Sequence, residues 1–468
     1  MAESVPEVVP APRAGQLAPA DVSRGLRFSI LEGAFATGHL ALSGGMFLTG
    51  LALFLGANSF QIGLLAAVPA LVSIVGLAAG FLVRRAGARK GLTVWTSGIG
   101  RSLFVVLVPL LLLRLRFGLG LFFAVVAAYN VLLALANTTW NSWMSDLVPE
   151  ERRGRFFGLR NAILGGIAMV LTYIGGRGLD WFKTFDEGLG FGVAYALAVG
   201  MGIVSMVLLG RQPEPALVPR PQVPLRERLF GPLQNEPQFT RLIVFLAVWF
   251  LTSTMASPFY IVHLIQDLKF SFASIGVYAA IGGTVGILFQ LYWGWVVDRF
   301  GPKPVALVSF ALVGLCPLLW LFATETFRAP IWLDGLLNGV GWTGANLGLI
   351  NLVFALGDNP VRKESYFALF SVVVGLATFF ASLAGGALAQ LLAGFRFELF
   401  GRTFINHHVL FLVSGVARFA CLPLLARVEE RRSRTVVRTV QVLGAFTLNR
   451  LNYGKGVFLH ALRTRSRG

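Results

Sequence analysis

Glu32, His39 and Ser43 stand at i, i+7 and i+11, a spacing that puts an acid, an imidazole and a hydroxyl on one helix face within an otherwise apolar stretch. A carboxylate in such surroundings is expensive unless it takes a cationic partner or exchanges a proton, and an imidazole two turns away can relay or share that proton. Arg101, midway along a later apolar stretch, is the partner expected for Glu32. Glu32 also lies five residues past Arg27, so an interfacial carboxylate is the competing reading. Asp334 poses the same choice between proton carrier and interfacial or helix-capping acid.

Neutral polar groups recur at similar spacings. Asn130, Asn137 and Asn141 repeat the i, i+7, i+11 pattern, Ser253, Ser257 and Tyr260 gather beside Pro258, and Asp334 and Asn338 lie one turn apart with Trp342 nearby. Asn346 completes the candidate binding set, although it sits about 80° round the helix from Asn338. Amides, hydroxyls and aromatic faces suit a small polar or amphipathic solute. His263, His407 and His408 fall near the ends of apolar stretches and read as solvated, and Arg418 inside another needs a partner. Cys316 and Cys421 lie in apolar windows and read as buried thiols, outside any disulfide framework or metal cluster. The chain has no G-x-x-x-x-G-K-[ST] for nucleotide-driven pumping and no HExxH or GxSxG. Neither an enzyme nor a resident cofactor is expected.

The elements that carry these residues follow from composition. Of 468 residues 56% are hydrophobic and only 13% charged, and the mean hydropathy of +0.72 makes lipid the solvent for most of the chain. Windows of about 20 apolar residues, the length that crosses hydrocarbon, predict an all-α membrane protein of twelve transmembrane helices. They lie near 28–55, 60–83, 92–113, 118–142, 158–176, 190–210, 241–266, 273–297, 304–323, 330–356, 365–393 and 406–427. The expected organisation is a tail (1–24) without a cleavable signal peptide, a six-helix bundle (25–210), a Pro/Arg-rich linker (211–240), a second six-helix bundle (241–427) and a basic tail (428–468) that can lie on anionic lipid. The net charge of +18 is spread over loops and tails, which argues against nucleic-acid binding. Even-numbered connections are richer in Lys and Arg than odd ones, so both termini are expected in the cytoplasm, with the chain in the plasma (inner) membrane as a monomer.

The two bundles echo each other. GFLVRRAGARK (80–90) matches GWVVDRFGPKP (294–304), and SDLVPEERRGRFFG around Pro149 matches ALGDNPVRKESYFALF around Pro360. These motifs and the twelve spans resemble the major facilitator superfamily, whose signature after the second span reads approximately G-x-x-x-D-R-x-G-R-K. The resemblance implies two six-helix bundles lined by spans 1, 4, 7 and 10, alternating access, and a secondary active transporter for a small organic solute, often coupled to protons. A non-transporting membrane receptor or assembly factor that keeps the fold is the alternative. By the same resemblance Gly80, Arg84, Arg85 and Gly87 in the first copy and Gly294, Asp298, Arg299 and Gly301 in the second are gating residues. The first copy carries Arg84 where the family has an acid, so two clamps are expected, Arg84 with Glu364 and Asp298 with Arg153.

Overall fold

The computed structural model describes residues 17–73, 82–83, 85, 87–113, 118–216, 225–356, 363–399 and 401–430. Among these, eleven helices are long and apolar enough to cross a membrane. They form span 1 (Pro19–Phe54), span 3 (Lys90–Leu112), span 4 (Leu119–Leu147), span 5 (Glu150–Lys183), span 6 (Glu187–Gly210), span 7 (Pro237–Gln266), span 8 (Phe272–Phe300), span 9 (Pro302–Trp320), span 10 (Ala329–Leu356), span 11 (Ser365–Leu391) and span 12 (Asn406–Ala426). The apolar helix Ser59–Ser73 supplies the first part of span 2 and completes the twelve-helix arrangement.

Local chemistry sets the ends. Asp186 Oδ1 accepts the Leu189 N–H at the start of span 6, Ser271 Oγ accepts that of Ser274 at the start of span 8, and Pro302 opens span 9. The repeated glycines have a backbone reason. Gly87 (φ 66°) and Gly301 (φ 92°) take left-handed conformations as their N–H groups return to Val83 O and Val297 O, closing the ends of spans 2 and 8.

Spans 1 and 7 are both broken midway, and a partner in the same half answers each break. Span 1 stops at Ser43 and restarts at Gly45, and the Ser43 carbonyl accepts the Tyr195 hydroxyl of span 6 at 3.3 Å. Span 7 stops at Thr254 and restarts at Ser257. Span 12 covers the freed carbonyls: Ser414 Oγ donates to Thr252 O (2.7 Å) and Arg418 Nη2 to Ser253 O (3.1 Å). Broken helices are tolerated in lipid when the orphaned groups are paired in this way.

The halves meet through glycines near the face opposite the termini. A Cβ on Gly63 would lie 2.5 Å from Ser382 O and 2.7 Å from Gly386 Cα, one on Gly176 would lie 2.8 Å from the Phe272 carbonyl, and one on Gly276 would lie 3.2 Å from Tyr173 Cα. Spans 2 and 11, and spans 5 and 8, therefore touch backbone to backbone. Across the second seam the Asp180 carboxylate of span 5 accepts the N–H groups of Phe272 (2.7 Å) and Ala273 (2.9 Å), the first turn of span 8.

Three features differ from expectation. Span 5 is longer at both ends than 158–176, because its helix starts right after Pro149 with Glu150 and Glu151 in its first turn. The segment 211–240 contains a helix, Leu225–Asn235. Between spans 11 and 12 the chain makes an antiparallel hairpin, β1 (Arg396–Leu399) with β2 (Arg402–Ile405), turning at Gly401.

Candidate solute site

A cavity of about 240 Å³ sits within the N-terminal half, lined from spans 1, 3, 4, 5 and 6 by Glu32, His39, Arg101, Tyr129, Asn137, Trp140 and Arg160 among others. The Glu32 carboxylate, 3% exposed, is its charged centre. Arg101 Nη1 lies 3.4 Å from Oε1 and Arg160 Nη2 lies 3.7 Å from Oε2, while Ser205 Oγ donates to Oε1 at 2.8 Å and receives from Arg101. Two guanidiniums thus share one carboxylate, leaving a net positive charge in a low-dielectric setting. Packing fixes both. Arg160 lies over the Trp140 ring at 4.6 Å and donates to Ser29 O, and the Arg101 stem covers Gly202. His39 Nδ1 is 2.9 Å from Ala198 O, and its ring packs against Phe104 and Tyr129. Ser43 Oγ closes the stripe on His39 O.

The remaining candidates divide among several surroundings. Asn137 is on the cavity wall, Asn130 donates to Val126 O in its own helix at 2.8 Å, and Asn141 is exposed. In the C-terminal half Ser253 is buried at the span 7 break, Ser257 and Asn346 are exposed, and Asn338 and Trp342 are half-buried. Tyr260 stacks on Phe411. Asp334, 1% exposed, accepts the Tyr278 hydroxyl at 2.5 Å, making a second buried acid on the far side of the half-to-half seam from Glu32. The charged cavity is lined from the N-terminal half alone.

For the gating set, Gly80 and Arg84 and the side chain of Glu364 lie outside the described residues, so the expected Arg84–Glu364 clamp lies outside them too. Arg85, Asp298 and Arg299 are exposed, Gly294 has open space beside it, and Arg153 donates to Ser145 O at 2.8 Å, with no ion pair to Asp298 among the described residues. The charge at this face is organised one helical turn further along. Arg89, 1% exposed, pairs with Asp146 of span 4 and its N–H donates to Glu214 at 2.7 Å. In the second half the Lys303 N–H donates to Glu430 at 3.2 Å. An acid that follows the last span of each half caps the third helix of that half.

Sequence reasoning missed several of these residues. Arg160 falls at the very start of the expected span 158–176, beside the basic run ERRGR, but the helix begins at Glu150 and carries it three turns in and onto Glu32. Asp180 gives no signal, because its partners are 92 and 93 residues away. His263 and His407, read as solvated, are 1% and 5% exposed, with both Nδ1 atoms 2.7 Å from one Asp267 oxygen.

Among the described residues, twelve apolar helices in two interlocking sets around buried charge define an integral membrane protein. The model of the Major Facilitator Superfamily matches residues 33–356 and 242–461, and the chain belongs to that superfamily. It is similar to a probable sugar efflux transporter of Helicobacter acinonychis (strain Sheeba), 29% identical over 290 residues, or 57% of this chain and 69% of that one. A gallate transporter of Pseudomonas putida is 30% identical over 146 residues, 31% of each chain. Among solved structures, a mutant of the nucleoside transporter NupG superposes with a TM-score of 0.68 at 12% identity, covering 87% of this chain and all (100%) of that one. The chain is a solute transporter and not an enzyme.

Proposed function

We propose that this transporter carries a small organic anion, with Glu32 as the group that takes up a proton as the anion binds. The observation that carries this reading is the pair of arginines, Arg101 and Arg160, on the single Glu32 carboxylate in the cavity wall. Arginine forks suit carboxylate, and a guanidinium that shares its counterion with another, as these two do among the described residues, has capacity for a second. When Glu32 takes a proton, the solute's anionic group takes its place on the two arginines. When the solute leaves, Glu32 loses the proton and closes on them again. His39, lining the same cavity, is the proposed relay, and Asp334 is a second proposed proton site in the other half. The volume of about 240 Å³ lies just below the usual 300–1,000 Å³ of ligand pockets, which favours a compact solute. Trp140 and Tyr129 offer aromatic faces and Asn137 an amide, which fit a hydroxylated aromatic carboxylate; gallate, named for one of the relatives, is one.

With the basic connections taken as cytoplasmic, the seams at Gly63, Gly176 and Asp180 close the outer face, and the conformation is the one closed to the outside. Purified chain in proteoliposomes tests the proposal. Counterflow of a hydroxybenzoate is expected, lost in Arg101→Gln, while Glu32→Gln keeps counterflow but no longer accumulates solute against a gradient when a pH difference is imposed. Flux of neutral sugars without flux of any carboxylate, or proton-driven accumulation that survives Glu32→Gln, would overturn it.

A further inference from the structure

Away from the cavity, at the end of the C-terminal half opposite the termini, His263, Asp267 and His407 converge from three elements: the last turn of span 7, the connection to span 8 and the first turn of span 12. Each histidine Nδ1 lies 2.7 Å from the same oxygen, Asp267 Oδ2, and the three ligand atoms all lie within 4.8 Å of one another. We infer that these three residues form a divalent metal site of the zinc class, independent of the solute cavity.

Two imidazoles and one carboxylate are a donor set that zinc takes in open, four-coordinate sites with water in the remaining position. Tetrahedral bonds of about 2.0–2.2 Å put neighbouring ligand atoms about 3.4 Å apart. Each N···O separation of 2.7 Å therefore needs to widen by about 0.7 Å once the shared protons leave. The ligand atoms already lie within 4.8 Å of one another, so the adjustment to tetrahedral spacing is of ångström size. The surroundings hold the ligands ready. The His407 ring stacks on Phe259 and the His263 ring packs edge-on to Phe411. Asp267 begins a tight turn in which Leu268 N returns to His263 O and Phe270 N to Leu264 O. Preorganised rings of this kind are what a metal site requires of its outer shell.

A second observation is the His263 Nε2 atom, buried with no hydrogen-bond partner. With Nδ1 engaged on Asp267, the His263 imidazole keeps a buried nitrogen that meets no partner among the described residues. Metal at Nδ1 would move the ring proton to Nε2; the His408 ring packs against that of His263, 5.1 Å between centroids. An entry path exists too, since Asp267 is 28% exposed while the two histidines behind it are closed off. Metal here ties span 7 to span 12 and fixes the turn that leads, five residues on, to Phe272 and the Asp180 contact. Its proposed effect is on closure of that face.

The test is titration of the full chain in detergent, stripped with chelator, using Zn²⁺ alone in calorimetry and Co²⁺ alone in visible spectroscopy. Expected are one equivalent of Zn²⁺ per chain, the intense visible band of tetrahedral Co²⁺, and loss of Zn²⁺ affinity in His407→Gln and Asp267→Asn that exceeds the 10- to 100-fold loss typical of removing an outer-shell partner. No saturable Zn²⁺ binding by the wild-type chain, an octahedral Co²⁺ spectrum, or unchanged affinity in both folded variants overturns the site. The Co²⁺ spectrum is read on the wild-type chain, so the outcome is decided even if neither variant folds.

Discussion

Replacing Asp180 with alanine should open the face opposite the termini, and the size of the effect can be worked from its contacts. The carboxylate accepts two backbone N–H groups of the first turn of span 8, Phe272 at 2.7 Å and Ala273 at 2.9 Å, across the seam between the halves. Span 8 keeps its own cap, since Ser271 Oγ holds the Ser274 N–H, so the helix itself survives the substitution. When the halves part, water solvates both the carboxylate and the N–H groups. The contact therefore counts only in the closed state. Charged hydrogen bonds contribute about 1.5–3 kcal/mol and an N-cap about 0.5–2 kcal/mol, so about 1–3 kcal/mol is at stake, a shift of about 5- to 150-fold in the open-to-closed ratio. Spin labels at two exposed positions on this face, Phe185→Cys in the N-terminal half and Glu398→Cys beyond span 11, would report the separation by pulsed electron resonance, with the buried Cys316 and Cys421 left in place. Asp180→Ala should add a longer-distance population, and Asp180→Asn should fall between it and the parent, since one amide oxygen still accepts but the charge facing the helix N-terminus is gone. An unchanged distance distribution in Asp180→Ala, in a protein whose thermal stability has fallen, would refute the reasoning and make the contact merely structural.

Gly63→Ala should act on the same equilibrium, because the new Cβ meets backbone at 2.5 Å and cannot be relieved by a rotamer change. About 1–3 kcal/mol of overpacking should appear as a longer separation between the same labels. Arg418→Leu should lower the unfolding temperature in detergent, read by tryptophan fluorescence, since it orphans the Ser253 and Val313 carbonyls at about 1–3 kcal/mol for each group left buried; an unchanged midpoint counts against the break-covering role. Acid should unfold the metal-free chain partly through Asp267. Burial opposes its charge, but the hydrogen bonds from His263 and His407 outweigh that and hold its carboxyl well below the ordinary 3.8. Its contribution is therefore complete above that value and lost as the pH falls below it, so from about pH 5 to about pH 3 the wild-type midpoint should fall more steeply than that of Asp267→Asn.

The fold was legible because hydropathy reports directly on lipid burial: span 10, read as 330–356, is the helix Ala329–Leu356. The duplication was legible in Gly87 and Gly301, which a left-handed backbone explains. The charged cavity was half legible. Glu32 and Arg101 stood out as charges in apolar helices, whereas Arg160 was hidden among loop arginines because a helix start is a local event that a Pro149–Glu150 boundary marks only weakly. Contacts made by the meeting of the halves, such as Asp180 on Phe272 or Gly63 on Gly386, leave no periodicity in either segment. The hairpin at 396–405 leaves little trace in the sequence because each strand has only four residues.

The glycine seam between spans 2 and 11 has a thermal consequence. Gly63 and Gly386 meet without side chains, so bringing them together freezes no rotamers, and parting them releases none. Warming the protein should therefore loosen this face less through side-chain disorder than it would a seam of interdigitated leucines. Its temperature response is left chiefly to the solvent and lipid that fill the gap.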